Sequence, residues 1–375
     1  MYTKITVQDG DTLKTLREFL KLFLEKNIVE GLFVPVETNA GTVVPALVID
    51  PTRLAQANPL APIMPINNAR AVSALTGKQA PMRLGAVLRS CEMRALVELV
   101  KLQQASLEGV ILIGIDCPGT YEVSEYYKMQ ANGEFMLEDH LAAAQNGHEI
   151  TSEGLSIRNA CQICVQQIPT EAAAVRIHIF GADLHTEIPV ELDEEFAEKL
   201  GVQPQGLAEE TGRKNTLEKI VNSHRQVREK ELLTIKTRMN SNGGIAGLFE
   251  TCIRCHNCMT VCPICYCKTC LFRTSSFDHP PEHYLGAARR KGAVRLPGDT
   301  LLFHLTRMNH MSASCVSCGM CTSACPSDIQ VGVIFSAVGE QVQAVFDYVP
   351  GRNLDEPLPL VTFQADEWTQ VGEAR

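Results

Sequence analysis

Fifteen cysteines stand in a chain of 375 residues, and eleven of them fall between Cys252 and Cys325. There Cys252, Cys255, Cys258 and Cys262, followed by Pro263, have the spacing C-x2-C-x2-C-x3-C-P, and Cys315, Cys318, Cys321 and Cys325, followed by Pro326, repeat it. A cubane of iron and sulfide needs four thiolates in tetrahedral array. Two-residue gaps let one tight loop present three of them, and the fourth, turned away ahead of the proline, reaches the other cluster. The spacing therefore predicts two 4Fe-4S sites that exchange their fourth ligands: Cys252, Cys255 and Cys258 with Cys325, and Cys315, Cys318 and Cys321 with Cys262. A pair of structural zinc sites fits less well, because each wants four ligands of its own and a longer gap between its C-x2-C knuckles.

Three more thiols, Cys265, Cys267 and Cys270, crowd in behind the first run. Two readings stand: a zinc or further iron-sulfur centre completed by His256, His279 or His283, or thiols that surround the first cluster and tune it through S–H contacts. His304 and His310 precede the second run and are candidates for the same tuning. In the first half the cysteines are sparse: Cys91, Cys117, Cys161 and Cys164. Cys91 follows an apolar run at 84–88 and Cys117 another at 109–115, which places both at the carboxyl ends of neighbouring parallel strands, where open α/β sheets bind ligands. The C-x2-C pair Cys161 and Cys164 brings the total to four, the number one more cubane requires. The same residues also suit a dithiol or half of a zinc site.

The elements that must position these thiols follow from periodicity. Residues 12–26 carry Leu13, Leu16, Phe19, Leu20 and Phe23 on one helical face, and extended runs follow at 31–35 and 43–49. A buried strand at 84–88, a helix at 91–103, a second strand at 109–115 and a later one at 175–180 make a parallel α/β unit. Between the two cysteine runs, residues 299–308 read as a helix. Residues 215–239 read as a charged, solvated helix joining two domains, and 240–244 as a hinge. The expected architecture is an α/β N-terminal domain with a C-terminal α-helical dicluster ferredoxin domain. Its parts are 1–214, a linker at 215–244, the cluster domain at 245–345, and a tail at 346–375 that is either a docking arm or a loose end. Arg289, Arg290 and Lys291 read as ordinary surface.

Composition narrows the function classes. With 45% hydrophobic and 21% charged residues the chain is an ordinary globular one, and a net charge of −9 offers no field for a phosphate backbone, so nucleic acid is not an expected partner. No apolar stretch approaches the roughly 20 residues that cross a bilayer, so any membrane association is expected to be peripheral, through partners. The first residues lack a basic region, apolar run and cleavage site, so the expected location is the cytoplasm, where thiols serve metals or redox rather than disulfides.

The second half is similar to the helical dicluster domain of fumarate reductase iron-sulfur subunits and heterodisulfide reductase subunits. In the first half, Leu88-Arg89-Ser90-Cys91-Glu92-Met93-Arg94, Ile115-Asp116-Cys117-Pro118-Gly119, Ala160-Cys161-Gln162-Ile163-Cys164 and the upstream Asn58-Pro59-Leu60-Ala61-Pro62 resemble the beta-subunit family of deazaflavin-linked hydrogenases and formate dehydrogenases. Cys262-Pro263-Ile264-Cys265-Tyr266-Cys267 resembles its formate dehydrogenase branch. The resemblance implies a third 4Fe-4S cluster on Cys91, Cys117, Cys161 and Cys164. It also implies a catalytic formate dehydrogenase or hydrogenase subunit as partner, and FAD exchanging hydride with the deazaflavin.

One departure keeps two forms of that reading open. Where the family carries a glycine-rich stretch near the flavin, residues 175–189 keep only Gly181, and bulky side chains obstruct the close backbone approach that a flavin phosphate needs. The chain is expected to be an electron-transfer subunit of an oxidoreductase complex rather than a stand-alone enzyme. In one form it relays electrons between a catalytic subunit and FAD or a second redox partner. In the other it is a flavin-free adaptor to a heterodisulfide reductase-like module. A zinc-stabilised interaction protein is the competing class.

Overall fold

A computed structural model describes residues 1–77, 80–148, 156–204, 210–241, 243–292 and 298–359. Asn242 of the expected hinge and residues 360–375 of the tail lie outside them. Seven strands form one mixed sheet: β1 (Tyr2–Thr6), β2 (Gly31–Glu37), β3 (Val43–Val48), β4 (Leu84–Arg89), β5 (Val110–Ile115), β6 (Val175–Ile177) and β7 (Glu187–Leu192). Their order is β1-β7-β6-β5-β4-β2-β3. The inner strands β2, β4, β5 and β6 pair in parallel, and β3, β7 and β1 add on antiparallel. All six residues of β4 are buried, as the unbroken apolar run demands of a strand covered on both faces. The edge strands β1 and β7 were not expected from the sequence. Strand β6 is shorter than expected because Asp116 accepts the N–H groups of Ile179 and Phe180 at 2.8 and 3.3 Å, which draws the chain out of the ladder.

Alternate residues of the strands feed two cores. On one face the helix Thr12–Glu25, capped by Asp11 accepting from the Lys14 N–H at 2.8 Å, buries Leu16, Phe19, Leu20 and Phe23 against Leu32, Val34, Val87, Ile113 and Ile115. On the other, Phe33, Ala86, Leu88 and Leu112 join Phe249, Met259, Phe303, Val333 and Phe335 of the cysteine-rich region in one continuous cluster. The two expected domains therefore share a core.

The helix Glu210–Met239 is not the solvated linker its charge suggests. It buries Ile220, Leu232 and Ile235, and its Arg213 donates to Asp116 at 2.5 and 2.9 Å at the end of β5. Further along, Arg228 donates to the Ile163 carbonyl at 3.3 Å and pairs with Glu340 at 3.5 Å. Its charged residues bridge rather than merely solvate, which composition alone cannot distinguish. The start of the tail is anchored as well. Tyr348 and the Gly351 N–H both donate to the buried Glu98, and Arg94 donates to the Pro350 carbonyl at 2.8 Å. No helix among the described residues is long and apolar enough to cross a membrane.

A third cluster, Ala61, Ile63, Tyr121, Tyr126 and Ile157, borders His140, whose ring lies 5.7 Å from that of Tyr121. Burial, helped by the Arg89 charge, holds the His140 pKa down to about 4. In the unfolded chain it is near 6.5, so below that pH the unfolded state binds a proton that the folded state refuses, and stability falls as pH drops toward 4. Between pH 7 and 5 this one residue should contribute about 2 kcal/mol of lost stability. Denaturant unfolding of wild type and His140→Phe at both pH values tests it: the variant should lose correspondingly less, and an unchanged pH slope would sink the assignment.

Candidate metal centre

Each C-x2-C-x2-C run wraps in the same way. The residues flanking the middle cysteine take left-handed backbone, Arg254 and His256 at φ 60° in the first run, Ser317 at 57° and Gly319 at 72° in the second. The third cysteine of each sits in a one-turn helix, Asn257–Thr260 or Met320–Ser323. Two left-handed residues around one thiol fold the loop tightly enough for three sulfurs to face inward. The fourth cysteines cross over. Cys325 stands beside Cys252 and Cys258, close enough for its charge to add to the burial that raises both thiols, Cys258 to about 11. Cys262 does the same to Cys315, Cys318 and Cys321, Cys318 rising to about 12.

In the N-terminal half Cys91 opens the helix Ser90–Lys101 directly after β4, and Cys117 follows β5. The loop bearing Cys161 and Cys164 is held down by the Arg158 N–H to the Thr120 carbonyl at 2.8 Å, and the Cys117 N–H donates to the Gln167 carbonyl at 2.9 Å. All four thiols line one small cavity of about 30 Å³, which Cys318 of the second run also lines. The dicluster loop thus closes the N-terminal pocket. Contact there is close: a Cβ on Gly319 would lie 2.1 Å from the Ala160 Cβ. A second cavity, of about 260 Å³, is lined by both Cys164 and Cys315.

The donor chemistry fits iron-sulfur clusters. Buried thiols whose pKa is raised by burial stay protonated unless a cation takes the proton's place, and soft thiolate ligands suit iron-sulfur cores. Among the described residues no three His, Cys, Asp or Glu side chains close on a single-ion site. A cubane does not call for such a cluster, since each thiolate binds its own iron around a volume. Cys265 has Cys262, Cys267 and Cys270 as neighbours and is raised by burial to about 11, and Cys270 meets the Met259 sulfur at 3.8 Å. Of the candidate histidines, His256 rests on the Phe303 ring at 4.5 Å, and His279 stacks on His283.

His304, a candidate tuner, does reach a thiol: its Nε2 lies 3.4 Å from Cys252 Sγ while its ring stacks on Phe249. His310 is exposed. Sequence reasoning missed three buried arginines among the thiols. Arg307 donates to Cys258 Sγ and to the Cys258 carbonyl, both at 3.1 Å. Arg158 donates to Thr120 Oγ1 at 2.9 Å and approaches Cys161 Sγ at 3.8 Å. Arg94 lines the cavity that Cys164 and Cys315 also line. Arg94 and Arg158 each lie three residues from a cysteine, the only trace of this role in the sequence.

Two loops of matched conformation with exchanged fourth cysteines, on helices that pack against an α/β sheet, define an iron-sulfur electron-transfer protein, and residues 246–329 match the 4Fe-4S dicluster domain family. Over about three quarters of its length the chain is similar to two formate dehydrogenase beta subunits. It is 29% identical to the F420-dependent formate dehydrogenase subunit beta of Methanocaldococcus jannaschii, over 75% of this chain and 76% of that one. It is 27% identical to the F420-dependent formate dehydrogenase 1 subunit beta of Methanococcus maripaludis, over 74% and 75%. Among solved structures it aligns with a chain of the F420-reducing [NiFe] hydrogenase complex from Methanosarcina barkeri, at 13% identity and a TM-score of 0.45, covering 65% of this chain and 94% of that one.

Proposed function

We propose that this chain is an iron-sulfur electron-transfer subunit that carries three 4Fe-4S clusters and relays electrons between a catalytic formate dehydrogenase or hydrogenase subunit and a second redox partner. The ligand sets are Cys91, Cys117, Cys161 and Cys164; Cys315, Cys318, Cys321 and Cys262; and Cys252, Cys255, Cys258 and Cys325. Each cubane would cycle by one electron, at a potential set by hydrogen bonds to sulfur, burial and net charge. The observation that carries the reading is the continuity of the three sets. Cys318 lines the N-terminal pocket, Cys262 lies beside the second run and Cys325 beside the first, and Cys255 of the first run is exposed. Such a row is a wire, and the exposed thiol marks one terminus. Cys265, Cys267 and Cys270 are read as thiols packed beside the first run rather than as a site of their own.

A flavin-free form of the relay is favoured by Gly181, whose missing side chain leaves room for the helix Glu210–Met239 rather than for a ligand. A Cβ there would lie 2.8 Å from the Arg213 Cα. The test is iron, sulfide, zinc and flavin content of anaerobically purified protein. About twelve iron atoms per chain are expected, without stoichiometric FAD. About eight would remove the N-terminal cluster, bound FAD would restore the flavin form, and zinc without iron would overturn the proposal.

A further inference from the structure

Among the described residues four arginines are buried: Arg89, Arg94, Arg158 and Arg307. Only Arg89 has a carboxylate within salt-bridge distance, Glu92 at 3.9 Å. A buried guanidinium without a counter-charge is strongly unfavourable, so the other three draw on charges beyond salt-bridge distance. Beyond salt-bridge distance Glu98 acts on Arg94 and Glu122 on Arg158, but the strongest charges on all three are cysteine sulfurs, and each arginine faces two of the three ligand sets. The Arg307 guanidinium donates to Cys258 Sγ, lies 4.8 Å over the Phe335 ring, and has Cys262 and Cys321 of the second set as its next sulfur neighbours. Arg158 approaches Cys161 at 3.8 Å while its other nitrogen donates to Ser323 Oγ at 3.3 Å, beside Cys318 in the shared pocket. Arg94 lines the cavity that Cys164 and Cys315 also line, and both sulfurs act on its charge.

We propose that Arg94, Arg158 and Arg307 are the fixed counter-charges of the junctions between neighbouring clusters, each raising the reduction potential of the two clusters it faces. The inference rests on the cluster assignment above. A thiolate-ligated cubane gains one negative charge on reduction, and a buried cation that also hydrogen-bonds a ligating sulfur favours the reduced form in surroundings where charge is weakly screened. Arginine suits the position because it stays protonated when buried, where lysine shifts its pKa. A cation shared by two clusters predicts a pairwise pattern that a merely structural role does not.

The experiment uses the full chain, purified anaerobically as wild type, Arg307→Gln, Arg307→Lys and Arg158→Gln, with iron counted before a redox titration followed by electron paramagnetic resonance. At the potential that half-reduces each wild-type cluster, Arg307→Gln should show about a tenfold lower reduced-to-oxidised ratio, equivalent to about 59 mV for one electron, in the two dicluster centres and not in the N-terminal one. Arg158→Gln should shift the N-terminal and second centres and leave the first, and Arg307→Lys should recover part of the loss. Full iron with unmoved potentials overturns the proposal, as does an equal shift of all three centres, or iron loss in both Arg307 variants, which would make the arginine structural. Wild type without iron would instead sink the cluster assignment itself.

Discussion

Cys262→Ala is expected to cost the second cluster, not the first beside which it stands in sequence. Iron should fall from about twelve to about eight atoms per chain, and the resonance that disappears should be the one removed by Cys318→Ala and spared by Cys255→Ala. The reason is the exchange of fourth cysteines, with Cys262 next to Cys315, Cys318 and Cys321 and Cys325 next to Cys252 and Cys258. Anaerobic iron analysis with low-temperature resonance of the three variants checks it. Loss of the same signal in Cys262→Ala and Cys255→Ala would show that each run holds its own cluster.

Gly319→Ala is expected to pry the second run away from the N-terminal pocket. Left-handed backbone at φ 72° contributes part of the strain, although His256 takes nearly the same φ at the equivalent position of the first run. The other obstacle is Ala160, whose Cβ would lie 2.1 Å from the new methyl. Overpacking of this kind costs about 1–3 kcal/mol, and here the strain acts between the loops that hold Cys161 and Cys318. Iron at the N-terminal site should fall and the unfolding midpoint with it. Ala160→Gly added to the variant should restore both by making room, a coupling that a double-mutant cycle measures. Failure of that rescue would place the fault in the turn rather than in the contact.

Much of this was legible from residue types. The apolar runs with Cys91 and Cys117 at their ends foretold the parallel strands β4 and β5, because an unbroken apolar run and the turn after it are local signals. What escaped reading depends on distant partners. Strands β1 and β7 pair with each other across some 190 residues, and their sequences carry no unbroken apolar run. The helix Glu210–Met239 has so little amphipathic pattern that its charges read as solvent-facing, yet Arg213 and Arg228 are spent on Asp116 and Glu340. The junction arginines were invisible for the same reason: a buried arginine and a surface one are the same letter until a sulfur is found beside it.

The anchoring of Tyr348 and Gly351 on Glu98 spans 250 and 253 residues, and that helix begins with the segment bearing Cys91. During synthesis the ribosome delivers the chain from its amino end at roughly 5–20 residues per second, so the helix waits for that later segment before its outer face is covered. The pocket of Cys91, Cys117, Cys161 and Cys164 waits likewise for Cys318. Biogenesis therefore has a built-in order. On the proposed assignment the earlier-made thiols stay open to the machinery that delivers iron and sulfide until the later-made loop of Cys318 shuts over them, and a chain terminated before that loop never seals the site.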